Sequence, residues 1–346
     1  IRNPYARDFA DALMTWGVVT ISRHTECSIG LDGFYRLDQN HRMNIIGGFP
    51  YKVDMEMVWS DEEVEILTKY GWKNPVKAAG AFGLDIYFRD DFAERFVDKE
   101  TFCKKLNIDP KKKVLLFASC WSYADTAPDL GTDDFKELMD ERKGRDEWIK
   151  MINCAYQSLS SEYNFILKVH PNELPNEYVD AFGEKVRVLV TVSAPATLKH
   201  TDCLIHAGST MAVEAHILNK PAVQYYGLEV DDSLLGSVSP RAKNPRALTD
   251  AVTFFVKEGK SNANVSVIEE LQKTRFGLMD GKAAIRAAEI IHSLKKQIPD
   301  QWPRAVYSYE QKGITKQSLQ VQFQCAICYE KFFMDTFYDR FVRTDA

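Results

Sequence analysis

The chain has 346 residues, long enough for two domains that each bury a core. Hydrophobic residues make up 45% and charged residues 27%, as in an ordinary soluble globular protein. The formal net charge of −5 gives no support for nucleic-acid binding, and no run approaches the roughly 18 apolar residues of a membrane span.

The first residue, Ile1, falls in mid-pattern and is not a Met, which predicts that N-terminal sequence precedes it. Residues 5–14 read as a helix and 16–21 as a strand. That strand runs into a polar loop bearing His24 and Glu26. In open α/β sheets such loops face the ligand crevice, where a Glu or His can take a proton from an attacking hydroxyl. A solvated loop explains either residue taken singly. A short strand is predicted over 57–60, then a helix over 61–70 with Ser60 as its N-cap and acidic residues in its first turn. Another strand follows over 76–79.

A charged connector with a helix over 99–106 ends at Asp109-Pro110, where a domain boundary is expected. Residues 111–120 form the next strand, its three lysines a solvated entry to a buried run. A polar turn follows, containing Ser119, Trp121 and Ser122. The pattern then predicts a long amphipathic helix over 145–161 and strands over 165–170, 186–192, 203–206 and 222–226. Five strands mostly alternating with helices argue a parallel, doubly wound sheet. A closing helix is predicted over 281–296 and a helical end over 326–342. The domains so outlined are 1–110, 111–300 and a tail, 301–346, a candidate to pack back on the first.

The seven cysteines are scattered, an odd and dispersed set that reads as reduced thiols of a cytoplasmic protein. Cys325 and Cys328 lack the second pair or nearby histidine of a zinc site, and their spacing with Phe332 and Phe333 suits packing on a helix face.

The most informative stretch is 202–226: a strand, the small-residue turn Ala207-Gly208-Ser209-Thr210, a helix over 211–218, a Pro221 stop and a second strand. Backbone N–H groups at such a helix start make an anion seat for which phosphate is the usual occupant. Glu214, one turn into the helix, cannot be a capping-box partner of Ser209 or Thr210, and leans toward the helix start where it can accept from hydroxyls beside a phosphate. The turn alone does not separate this reading from an ordinary buried βα turn.

Three polar turns, at Ser119–Tyr123, at His170-Pro171 and at His206–Thr210 with Glu214, together resemble the donor-binding domain of GT-B glycosyltransferases. The His206, Gly208 and Glu214 spacing is similar to that superfamily's nucleotide-sugar signature. The Glu214-Ala215 and Lys220-Pro221 continuation is similar to bacterial surface-polysaccharide enzymes, including capsule Kdo transferases and CDP-glycerol glycerophosphotransferases. Val169-His170-Pro171 resembles the His-Pro motif of transferases that use CMP-sugars.

The resemblance implies an α/β GT-B fold of two Rossmann-like domains with a crevice between them, the N-terminal one incomplete. It implies metal-independent transfer of a sugar from a nucleotide donor to a hydroxyl of a glycan or lipid-linked glycan. A CMP-sugar is favoured over a UDP-sugar, with no cofactor beyond the donor. Ser119, Trp121, Ser122, His170, Pro171, His206, Gly208, Ser209, Thr210 and Glu214 are expected at the donor, with His170 and His206 facing its phosphate. Glu26 or His24 is expected as the base. Cytoplasmic localisation follows, with an option of association with the inner membrane through other biosynthetic enzymes. The open alternatives are a UDP-sugar 2-epimerase, a CDP-glycerol glycerophosphotransferase, and a non-catalytic module that binds a glycan or a partner enzyme.

Overall fold

The structure is a computed structural model that describes residues 21–23, 55–69, 75–121, 124–125, 132–171, 173–190, 192–225 and 234–295. The described residues fall into two compact units. One holds those up to Arg89 together with those from Glu270, and the other holds Asp90–Glu269.

The first unit contains a three-stranded parallel sheet in the order β1 (Ile21–Arg23), β2 (Met55–Val58), β3 (Val76–Ala78). Helix α1 (Asp61–Lys69) follows β2 and starts on a reciprocal capping box. Ser60 Oγ accepts the Glu63 N–H at 3.2 Å, while Glu63 Oε2 accepts the N–H groups of Trp59 at 2.9 Å and Ser60 at 3.4 Å. The predicted N-cap is therefore the observed one. The Ser60 hydroxyl also donates to the Thr274 carbonyl at 2.9 Å, tying the late segment to the early one.

The second unit begins with α2 (Lys99–Leu106), whose N-cap Asp98 accepts the Thr101 N–H at 2.8 Å. Its sheet comprises β4 (Lys113–Ala118), β5 (Tyr163–Lys168), β6 (Arg187–Leu189), β7 (Cys203–His206), β8 (Ala222–Tyr225) and β9 (Arg241–Ala242). Every pairing is parallel, in the order β6-β5-β4-β7-β8-β9. Counted from the first strand of this unit the order is 3-2-1-4-5-6, that of a doubly wound nucleotide-binding sheet. The expected α/β class and parallel sheet are observed, with β9 as one more strand than the sequence reading supplied.

Central β4 is a continuous apolar run buried from Val114 to Ala118, as a strand covered on both faces requires. Leu115 and Phe117 point to one face, with Phe165, Leu167, Cys203 and Ile205. That face packs on α3 (Thr132–Leu159) through Trp148, Met151 and Ile152, on α4 (Pro175–Phe182) through Tyr178 and Phe182, and on α7 (Pro245–Glu258) through Leu248 and Val252. Helices α5 (Ala194–His200) and α6 (Met211–Ile217) contact β4, β7 and β8 and cover the opposite face. Helix α8 (Val265–Leu271) leads back to the first unit, where α9 (Ala283–Lys295) lies.

The units divide at Arg89–Asp90 and at Glu269–Glu270, where the sequence reading set limits near Pro110 and residue 300. Packing gives the reason. Phe102 of α2 stacks on His200 of α5 with ring centroids 4.5 Å apart, and Lys199 Nζ donates to the carbonyls of Ala93, Phe96 and Val97 at 2.6, 2.8 and 2.9 Å. The connector is thereby fixed to the second unit. Conversely, Asp85 caps α9 by accepting the Ala283 and Ala284 N–H groups at 3.1 and 2.8 Å, and Arg286 Nε donates to the Ala79 carbonyl at 2.9 Å. The closing helix is thereby held by the first unit.

Cys103, Cys120, Cys154 and Cys203 are free thiols. No helix among the described residues is long and apolar enough to cross a membrane. The predicted helices over 5–14 and 326–342, the tail 301–346 and the Cys325/Cys328 pair lie outside the described residues.

Candidate nucleotide site at the switch point

In a sheet of this order the strand direction of winding reverses between β4 and β7, and ligands bind beyond the carboxyl ends of the strands there. Ala118 pairs with Lys168 on one side and His206 on the other, so β4, β5 and β7 end level. Their following turns meet through hydrogen bonds. Ser119 Oγ accepts the His170 N–H at 2.9 Å and the Ser119 N–H donates to the Lys168 carbonyl at 3.2 Å. The Cys120 thiol donates to the Ala207 carbonyl at 3.0 Å. The bonds bring Ser119 and Cys120 against the starts of the other two turns.

Beneath the turns of β4 and β5 lies a buried polar network. Glu173 Oε1 accepts the Trp121 N–H at 2.8 Å, and Oε2 accepts the Tyr178 hydroxyl. Burial pushes the Glu173 carboxyl up, opposed by the bonds from Tyr178 and Trp121. Arg145 on α3 pairs with Asp125 at 2.5 Å, and Asp125 Oδ2 accepts the Leu174 N–H at 2.7 Å. Both ends of this pair are almost wholly buried, and Asp125 thereby ties the segment after the β4 turn to α3 and to Leu174.

The third turn is built around a histidine. His206 is fully buried, and the Gly208 N–H donates to its Nδ1 at 3.2 Å. That acceptor role leaves the ring proton on Nε2, which donates to Ser239 Oγ at 3.0 Å. Burial pushes the imidazole down to about 3, so it is neutral at physiological pH. Gly208 takes φ +98°, a conformation that costs an L-residue strain and a glycine none. The chain then swings into α6: Ser209 Oγ accepts the Met211 N–H at 3.3 Å, and the Ser209 and Thr210 carbonyls accept from Ala212 and Val213. Among the described residues, the N–H groups of Ser209 and Thr210 meet no acceptor. Both residues are partly exposed.

Of the residues expected at a donor, His170 is partly exposed, Pro171 is exposed, and Gly208, Ser209, Thr210 and Glu214 are partly exposed at this edge. Three others occupy different roles. Trp121 is 1% exposed and packs on α3 at Gly144, where an added Cβ would meet its ring at 2.3 Å. Ser119 is buried as a strut between turns. His206, expected to face a phosphate, instead has both ring nitrogens engaged inside the protein. Ser122, His24 and Glu26 lie outside the described residues.

Two polar residues escaped the sequence reading. Glu173 anchors the network, and its signal was a carboxylate two residues after a His-Pro turn. Lys168 ends β5, a strand otherwise apolar from Phe165 to Leu167, and a cation at an inward position of such a run is the signal for it.

A parallel sheet of the doubly wound order is therefore present, and the turn at its switch point holds the N–H groups of Ser209 and Thr210. No protein-family model and no curated protein matches the chain. Among solved structures it is similar to the wall teichoic acid polymerase TagF, with 16% identity over 75% of this chain and 62% of that one, at a TM-score of 0.47. It is similar also to the UDP-GlcNAc 2-epimerase of Methanocaldococcus jannaschii, with 14% identity, 81% and 73% coverage and a TM-score of 0.48. Sucrose-phosphate synthase of Thermosynechococcus elongatus matches at 13% identity, 81% and 68% coverage and a TM-score of 0.37. The chain thus spans less than two thirds of the TagF structure's length. All three scores lie below 0.5, and the fold assignment rests on the strand order itself.

Proposed function

We propose that the chain is a glycosyltransferase of the GT-B kind, which moves a sugar from a nucleotide-activated donor to a hydroxyl of a surface polysaccharide. The observation that carries this reading is the switch point of the second unit, where the open N–H groups of Ser209 and Thr210 stand level with the His170-Pro171 turn. Those N–H groups, at the start of α6, receive the donor phosphate. In the transfer, the acceptor oxygen bonds to the anomeric carbon as the bond from that carbon to the donor phosphate oxygen breaks. The departing nucleotide gains negative charge, which His170 and the two N–H groups stabilise. The acceptor proton passes to a base, for which Glu26 and His24 are the proposed residues.

His206 acts one step back in this scheme. Its Nδ1 holds the Gly208 N–H, so the turn keeps the conformation that presents the next two. It is a positioning residue. Glu214, on α6, is the proposed partner of the ribose hydroxyls.

The resemblance of Val169-His170-Pro171 to CMP-sugar transferases, together with Ser209-Thr210, favours CMP as the nucleotide and UDP second. A thermal-shift panel of CMP, CDP, UDP and GDP tests the reading, because a ligand bound only by the folded state raises its melting temperature by mass action. CMP or UDP should give the largest rise. If none of the four moves the transition, the chain is not a nucleotide-dependent transferase. UDP-N-acetylglucosamine supplied without acceptor separates transfer from 2-epimerisation, since only an epimerase converts it.

A further inference from the structure

Lys168 is unusual among the lysines of this unit. Its side chain is largely buried at the end of β5, and burial pushes its ammonium down while the Glu214 carboxylate pushes back. Among the described residues no carboxylate lies within 4.0 Å of Nζ and no acceptor is hydrogen-bonded to it. The comparison with its neighbours is direct. Lys199 spends its donors on three carbonyls, and Lys220 donates to the Thr201 carbonyl at 2.6 Å.

Register shows where this ammonium can reach. Lys168, Ala118 and His206 stand in one row across β5, β4 and β7, and residues in register across a parallel sheet project to the same face. Strand spacing of about 4.8 Å puts the backbones of Lys168 and His206 roughly 10 Å apart. In that row the residue between them is Ala118, whose side chain is a single methyl. The Gly208–Thr210 turn begins two residues beyond His206, within the reach of a four-carbon stem that spans the small residue. Glu214, whose charge Lys168 feels, rises from the same turn on α6. A cation withdrawn from water without an ion-pair partner is costly until an anion meets it.

The geometry points to Lys168 as the residue that contacts the phosphate of the nucleotide seated on the Ser209 and Thr210 N–H groups. This assignment rests on the proposed function and adds to it the cation of the phosphate subsite. Compact and placed on a strand, the ammonium acts as a fixed point charge, whereas the exposed lysines of the unit must be ordered first.

The test is calorimetric binding of CMP, CDP, UDP and GDP to the wild type, Lys168→Met and Lys168→Arg, with the melting temperature of each protein alone. The expected result is a loss of at least about tenfold in nucleotide affinity for K168M, a smaller loss for K168R, and an unliganded melting temperature for K168M equal to or above that of the wild type. The last readout distinguishes ligand contact from a structural role, which would lower it. Nucleotide binding that K168M leaves intact overturns this assignment alone, as does a K168M protein that melts earlier. A wild type that binds none of the four nucleotides overturns the proposed function and this assignment together.

Discussion

The Ser119 side chain fixes where the His170 backbone sits: its Oγ accepts the His170 N–H at 2.9 Å from the neighbouring strand's turn. Its own hydroxyl lies 3.3 Å from the Lys168 carbonyl, so one small residue spans both ends of the β5 exit. Ser119→Ala leaves the partly buried His170 N–H without that acceptor. A loss of about 1–2 kcal/mol in unfolding free energy is expected from urea denaturation. Nucleotide affinity should fall too, because His170 would no longer be held beside the seat. Unchanged affinity would separate His170 from the ligand.

Which parts of this were legible beforehand follows from range. Strand β7 is legible to the residue because Cys203–His206 is an apolar run flanked by a polar residue and a small-residue turn. Helix α2 is equally so, with Asp98 before it and Asn107 in the left-handed conformation after it. Helices α5 and α7 carry cap signals of the same kind, Ser193 with Pro195 and Asn244-Pro245 with Gly259, but are absent from the predicted elements. The directions of site side chains depend instead on distant partners. His206 is drawn inward by Ser239, 33 residues on, and Trp121 by the space over Gly144. Period and spacing gave the edge of the sheet on which each residue stands, but not its depth.

Gly144 supplies a test of the Trp121 placement. A Cβ there would stand 2.3 Å from the indole, inside any real contact, and both Trp121 and the helix are held by buried bonds. Gly144→Ala should therefore destabilise the second unit by about 1–3 kcal/mol through overpacking, in spite of alanine's higher helix propensity. Urea midpoints of the variant and wild type decide this. A stabilised variant would mean that Trp121 does not lie on α3.

Acid should weaken the fold through two histidines. His206 is pushed down to about 3 and His200 to about 4, in each case first by burial, and the His200 Nε2 also donates to the Val97 carbonyl at 2.9 Å. Both are neutral when folded and take up a proton near pH 6.5 when unfolded. The unfolded state thus binds more protons below about pH 6.5, and stability falls as pH drops toward the folded values. Each contributes a slope of at most roughly 1.4 kcal/mol per pH unit. Glu173 works in the opposite sense, since its raised carboxyl favours the folded state on protonation. His206→Asn offers an amide oxygen to the Gly208 N–H and does not titrate. Unfolding free energies at about pH 7 and about pH 5 should differ less for H206N than for the wild type. Equal differences would show that His206 is not the buried neutral group described.

Gly208 links the fold to the proposed chemistry most directly. Its φ of +98° and its N–H bond to His206 Nδ1 together set the path of the chain into Ser209 and Thr210. Alanine at this position pays about 1–2 kcal/mol of backbone strain, or the turn relaxes to avoid it. In either case the two N–H groups lose their common direction. An ordinary βα turn would show the stability loss alone. An anion seat shows a second effect: nucleotide affinity falls well beyond what the shifted folding equilibrium predicts, because at a temperature where wild type and variant are both fully folded only the geometry differs. Calorimetric titration of G208A with the nucleotide that binds the wild type, at about 15 °C below the variant's melting transition, measures that residue of affinity. A G208A protein that is less stable yet binds the nucleotide as tightly as the wild type would remove the turn from the binding site.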